Sequence, residues 1–380
     1  MTEIDNIEDF KVWLNTSKKA AIQNLDLKEF ENDILKKEFD NSIFLGCDLS
    51  DNVSGHIVKT GGLVIPDVKE YFFEVHRGKL YHPRELFKGF DLKDPDGYEN
   101  TYDYKIYKQY KNQGKDKPDT IMTSLLRRLH DHSMTDALNE VISKRKVVAV
   151  MGGHGMERQD EFYLKVAKLS RKLTKKGFLM VSGGGPGAME ATHLGAFFAE
   201  RSEEDLNHAI NEMKVRPEHG EAGKEYKDKD WLHRAWKVMK KYPIEQGKED
   251  KCMSVGIPTW LYGHEPPAPF ATHIAKYFAN SVREDGLLSI AKHGVIFAPG
   301  SAGTTQEIFQ DATQNHYKSM GYISPMILFG IKRWTVERPL WDFLKEVSKN
   351  KIYGELLALT DNEDEIIRRI LSYNPEIYKV

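Results

Sequence analysis

The chain has 380 residues, of which 40% are hydrophobic and 29% charged, with a net charge of -2. That length gives room for two domains, and the near-neutral balance leaves no basic field to draw the protein to nucleic acid or an acidic membrane. Cys47 and Cys252, the two cysteines, are too few for a disulfide framework or a four-thiolate zinc site. The first residues lack the basic and apolar regions of a signal peptide, and no run of 18 apolar residues occurs. A cytoplasmic protein that does not enter a membrane is therefore expected.

Residues 1–140 read as a domain of their own, of α+β character. Two short amphipathic helices fill 8–40, and strand-like runs follow at 43–46, 57–66, 71–75 and 79–82, punctuated by Gly61-Gly62 and Arg77-Gly78. Residues 91–97 form a turn, and a helical pattern covers 119–143. His76, His82, His130 and His132 are too scattered to make a metal site.

From Lys146 the pattern becomes strand, loop and helix in repetition, which predicts a doubly wound, Rossmann-like parallel sheet over 141–380. Residues 147–151 are a strand ending in Gly152-Gly153-His154-Gly155, with a helix at 160–174. Residues 178–181 are a second strand ending in Ser182-Gly183-Gly184-Gly185-Pro186-Gly187, followed by an alanine-rich helix from Ala188. In 201–250, 23 of 50 residues are Asp, Glu, Lys or Arg. That segment reads as a solvated insertion outside the core, with a helix near 231–241. A third strand is expected at 254–261, helices at 270–280 and 284–292, a further strand at 325–330, and helices at 340–348 and 363–372. No internal repeat is apparent.

The stretch from Val295 to Glu307 carries the chemistry. Four apolar residues form a strand, and Pro299 stops it because proline cannot donate to a sheet ladder. Gly300, Ser301, Ala302 and Gly303 make a small-residue loop, and Thr304 opens a helix. Strand, loop and helix N-terminus together form an anion site of outward N–H groups and helix dipole. Glu307 lies one turn inside. Two readings of Thr304 and Glu307 stay open: a site acting on a phosphorylated ligand, or a capping box. Three glycine-rich loops thus sit at the carboxyl edge of three parallel strands, where open α/β sheets bind ligands. The dinucleotide fingerprint and the Walker A loop are both absent, which argues against hydride transfer and P-loop chemistry.

Ser182-Gly183-Gly184-Gly185-Pro186-Gly187-Ala188-Met189-Glu190 resembles the first signature of the LONELY GUY-type phosphoribohydrolases. Pro299-Gly300-Ser301-Ala302-Gly303-Thr304-Thr305-Gln306-Glu307 resembles their second, with serine at its second glycine. Arg283 stands where family members carry an arginine ahead of that proline. Gly152-Gly153-His154 and Glu265-Pro266-Pro267 are similar to features of the larger bacterial nucleotide 5'-monophosphate nucleosidases. The resemblance covers roughly 145–335. It implies hydrolysis of the N-glycosidic bond of a nucleoside 5'-monophosphate, needing no cofactor and no metal, in a homodimer or homotetramer. Glu307 and Arg283 would be catalytic, with the carboxylate stabilising positive charge on the ribose. Gly152, Gly153, His154, Gly183, Gly184, Gly185, Gly187, Met189, Glu190, Pro299, Gly300, Ser301, Ala302, Gly303 and Thr304 would bind the substrate. The alternative is a non-catalytic nucleotide-binding or sensing protein, or a cofactor carrier, on the same fold. Residues 1–140 are expected to regulate the site.

Overall fold

The computed structural model describes residues 2–16, 18–94, 97–214 and 223–379. Two residues of the expected 91–97 turn and eight of the charged 201–250 segment lie outside the described residues. The backbone divides into two compact units, one of Met1–Leu80 with Lys108–Glu140, the other of Tyr81–Tyr107 with Val141–Val380.

The first unit holds a four-stranded parallel sheet of β1 (Thr2–Ile4), β2 (Ala20–Gln23), β3 (Ile43–Leu45) and β4 (Leu63–Ile65), in that spatial order. Helices Ile7–Leu14 and Asp51–Lys59 are capped by Asn6 and Ser50, whose side chains accept from the N–H groups of Asp9 and Val53. Phe10, Trp13, Ile22, Phe39, Phe44 and Ile57 form the core. Helix Asp51–Lys59 takes part of the expected 57–66 strand, and the expected strand at 71–75 does not form. An internal repeat is present after all. Ile22-Gln23-Asn24-Leu25-Asp26-Leu27 lies in register beside Phe44-Leu45-Gly46-Cys47-Asp48-Leu49. Asn24 (φ 53°) and Gly46 (φ 63°) turn the chain at the same point in each copy. Asparagine and glycine both tolerate that left-handed turn, which is why letter matching hides the repeat.

The second unit is Rossmann-like, α/β and doubly wound. Seven parallel strands are β5 (Lys146–Met151), β6 (Phe178–Ser182), β7 (Ser254–Gly256), β8 (His273–Ile274), β9 (Val295–Phe297), β10 (Met326–Phe329) and β11 (Leu357–Thr360). Their spatial order is β11-β10-β9-β5-β6-β7-β8. The winding therefore reverses between β5 and β9, and the loops leaving those two strands diverge to open a crevice. Val148, Val150, Met180, Ile296, Ile327 and Phe329 are buried on strands that read as continuous apolar runs, as strands covered on both faces must.

Two expectations are corrected in this unit, and one strand is added to it. Residues 270–280 are not a helix: His273–Ile274 is an edge strand, and Ile274 also bridges antiparallel to Tyr81. β11 closes the far edge from a short stretch, Leu-Ala-Leu-Thr, too brief to stand out as a strand. The charged 201–250 segment does enter the core. Helix Glu203–Met213 buries Leu206, Ala209, Ile210 and Met213, and helix Lys229–Lys241 buries Trp231, Ala235 and Val238. Each has an apolar stripe at helical spacing that a high overall charge obscures. Among the described residues no helix is long and apolar enough to cross a membrane.

Candidate functional site

Backbone hydrogen bonds stitch the three glycine loops together. Gly153 N–H donates to the Pro299 carbonyl (3.1 Å) and Ala188 N–H to the Gly153 carbonyl (3.2 Å), while Ala268 N–H donates to the Gly184 carbonyl (2.7 Å). At two positions only glycine fits. Gly187 (φ 71°) would put a Cβ 2.3 Å from the Gly153 carbonyl oxygen, and Gly184 (φ 70°) would put one 2.8 Å from the Ile257 nitrogen. Beneath them His193, held neutral by burial with its pKa pushed down to about 3, links Ser182 Oγ (2.8 Å) to Ser254 Oγ (3.0 Å). Ser182 Oγ also accepts from Gly184 N–H at 3.2 Å.

Over this floor lies a cavity of about 440 Å³. Gly152, Gly153, His154, Gly183, Gly184, Gly185, Met189, Arg283, Ser301, Gly303, Thr304 and Glu307 all line it. Pro299 and Gly300 face instead a neighbouring cavity of about 740 Å³, which shares Gly153, His154 and Ser301 with the first. Gly300 is covered by Thr304 (a Cβ there would stand 2.0 Å from the threonine Oγ1), and its carbonyl accepts from Arg333. Gly187 and Ala302 line neither cavity.

Glu190 is also elsewhere. It is fully buried and accepts from Arg158 Nε (2.9 Å), Arg158 Nη2 (2.6 Å) and the Tyr163 hydroxyl (2.7 Å). These three bonds hold the helix Ala188–Phe197 against its neighbours, and Glu190 does not line the cavity.

Helix Ala302–Tyr317 begins at Ser301 without a side-chain cap. Thr304 is therefore the third helical residue, not the cap, and the capping-box reading of Thr304 and Glu307 falls. The unbonded N–H groups of the first turn face outward, as at any helix start. Ser301 has φ -110°, an ordinary value for an L-residue, so serine in place of glycine adds no strain.

Glu307 and Arg283 meet at 3.9 Å, with side chains 18% and 11% exposed. Burial pushes the Glu307 carboxyl up to about 7; Arg283 opposes that rise and Glu284 adds to it. Among the described residues the buried Arg283 Nε has no hydrogen-bond partner. Near neutral pH, then, both the charged and the neutral form of Glu307 are accessible beside the helix start. A neutral carboxyl can donate to a phosphate oxygen and does not repel it.

The sequence reading did not assign Tyr226, Tyr262, Glu265 and Glu284 to the site, yet they line the same cavity. Tyr226 comes from the charged insertion, where nothing marks it out. Glu265 could have been found from its place ahead of Pro266-Pro267 at the carboxyl edge of the sheet. Burial raises its pKa, against His154, His264, Arg283 and Lys276. Among the described residues no cluster of metal-ligating side chains occurs.

Fold and site together define an α/β protein with a cleft at the switch point of its sheet, lined by glycine loops and the start of helix Ala302–Tyr317. No family model and no curated protein matches the chain. Similar solved structures include the molybdenum cofactor binding protein from the phototrophic bacterium Rippkaea orientalis. It is 14% identical, with a TM-score of 0.36 and a match covering 60% of this chain and 97% of that one. A Moco carrier protein from Chlamydomonas reinhardtii is 13% identical at the same TM-score, over 60% of this chain and 99% of that one. At such identities and TM-scores no role passes from those proteins to this chain. The expectation of an N-glycosidic-bond hydrolase with a nucleoside 5'-monophosphate as substrate is nonetheless corrected. The solved structures named above are described as a cofactor binding protein and a carrier protein.

Proposed function

We propose that the chain binds a small phosphorylated molecule bearing a planar ring and holds it intact, as a cofactor binder or carrier does. The observation that carries this reading is the convergence of three features on one cavity. These are the open first turn of helix Ala302–Tyr317, Arg283 with an unpartnered buried Nε, and Glu307 raised to about 7. In this reading the N–H groups of Gly303 and Thr304 and the Thr304 hydroxyl hold the phosphate. Arg283 supplies a charge-assisted bond, and Glu307 in its neutral form donates one more. Gly152, Gly153 and residues 183–185 let the ring lie against backbone, with His154 and Met189 at its border. The molybdenum cofactor, a pterin with a terminal phosphate, belongs to this chemical class and is the first ligand to test.

The experiment is calorimetric titration with the isolated cofactor and with its dephosphorylated form, alongside chromatography of AMP and GMP incubated with the protein. Binding that needs the phosphate, with both nucleotides recovered intact, is the expected result. Equal binding of the dephosphorylated form, or free base released from either nucleotide, would overturn the reading.

A further inference from the structure

The glycine floor separates two side chains of opposite charge. A Cβ on Gly183 would stand 3.8 Å from Arg283 Nη1, and one on Gly185 would stand 3.6 Å from Glu265 Oε2. Two residues of chain span at most about 7 Å, so a guanidinium and a carboxylate stand at the two ends of a span about the width of a fused heterocycle, with Met189 lying against both glycines (its Sδ 2.7 Å from a Cβ on Gly183, its Cε 3.0 Å from one on Gly185). Arg283 and Glu307 account for the phosphate end. Glu265, whose side chain is 14% exposed, is left without a role there.

Its surroundings are built to hold it still. The Tyr226 hydroxyl bonds to the Glu265 carboxylate, and the Tyr226 ring meets His154 edge-on at 6.0 Å. Behind the loop, Tyr98 OH lies 3.1 Å from the Gly263 carbonyl, 3.3 Å from that of Glu265, and 2.9 Å from Asp103 Oδ2. Asp103 is fully buried and also accepts from Lys276 Nζ (2.7 and 2.8 Å) and Trp260 Nε1 (3.1 Å). A buried ion pair with two further hydrogen bonds fixes the backbone that presents Glu265. That arrangement preorganises an acceptor at one place in the cavity.

A carboxylate offers two parallel acceptors and matches a ligand edge with two parallel N–H donors. The ring N–H and exocyclic amine of a 2-amino-4-oxopyrimidine form such an edge, which pterins and guanine share. Adenine and hypoxanthine lack it. We infer that Glu265 reads this donor edge, so that the cavity selects phosphorylated ligands with a 2-amino-4-oxopyrimidine ring; this rests on the phosphate-binding reading above.

The test is isothermal titration of the full chain with GMP, IMP, AMP and dihydroneopterin monophosphate, on wild type and Glu265→Gln. GMP and IMP differ only in the exocyclic amine. Wild type should bind GMP roughly 10-fold or more tighter than IMP, the scale of one bidentate contact, and Glu265→Gln should shrink that ratio to within about twofold. Tighter binding of the pterin phosphate than of GMP would mark pterins as the natural source of the edge, and the reverse order would mark guanine; either order supports the inference. Equal wild-type affinities for GMP and IMP would overturn it while leaving phosphate binding intact, and so would an undiminished ratio in Glu265→Gln. No binding of any of the four phosphates would overturn both readings.

Discussion

Two glutamates in this protein occupy the same local setting and meet opposite fates. Glu190 and Glu307 each follow a glycine-rich loop at the carboxyl end of a buried parallel strand, within the first turns of a helix. Glu190 meets Nε and Nη2 of Arg158 and the Tyr163 hydroxyl, with no exposure to solvent. Glu307 meets Arg283 only at 3.9 Å, faces the cavity, and is pushed up to about 7. A carboxylate whose hydrogen bonds are all met from within the fold is part of the fold. One desolvated without matching partners is kept ready for something outside it.

The comparison breaks most visibly through Arg158. Its Nη1 also donates to the Trp231 carbonyl at 2.9 Å, and its guanidinium stacks 4.4 Å over the Trp231 ring. Arg158→Met should leave Glu190 buried without its counter-charge and cost about 3–5 kcal/mol, read as a marked fall in thermal midpoint. Adding Glu190→Gln should recover much of that loss. A single variant as stable as wild type would show that the pair does not hold the fold.

At the other glutamate the loss should fall on binding rather than folding. Arg283→Ala removes a charge-assisted contact worth about 1.5–3 kcal/mol, or roughly 10- to 150-fold in affinity for a phosphorylated ligand. Gly300→Ala should weaken binding too, because its Cβ would collide with Thr304 Oγ1 at 2.0 Å and push that side chain aside. Unaltered dissociation constants in both variants would remove residues 300–304 and Arg283 from the site.

The sequence reveals Glu307 and its loop readily, because a strand, a small-residue turn and a helix start are local patterns. It cannot distinguish Glu307 from Glu190, since the deciding partner, Arg158, lies 32 residues away. The same limit hides Tyr226, which lines the cavity from a segment whose charge suggests solvent. Trp231, Ala235 and Val238 stand at helical spacing and were legible as a buried face, had composition not been weighed above periodicity. The two-residue strand His273–Ile274 is set by its neighbours, Val255 and Gly256, and not by any propensity of its own.

The smallest expected effect sharpens the comparison furthest, because it concerns protons alone. Glu307 has its pKa raised from an ordinary 4.5 to about 7. In the free protein it is charged at pH 8 and mostly neutral at pH 6. An anion bound beside it raises the pKa further, so binding takes up a proton and affinity must increase as pH falls from 8 towards 6. Below pH 6 the gain levels off, since the carboxyl is already neutral. Folding follows the same sign: the cost of burying the charged form is absent below 4.5, grows from there to about 7, and is complete above it. A phosphate titrates in the same range, so the ligand should be a sulfate ester, whose charge is fixed. Wild type should then gain up to about tenfold in affinity between pH 8 and pH 6. Glu307→Gln, neutral throughout, should bind at pH 8 about as wild type does at pH 6, with a flat profile. A flat profile in wild type would mean that Glu307 is as settled as Glu190, and the contrast between the two helix starts would disappear.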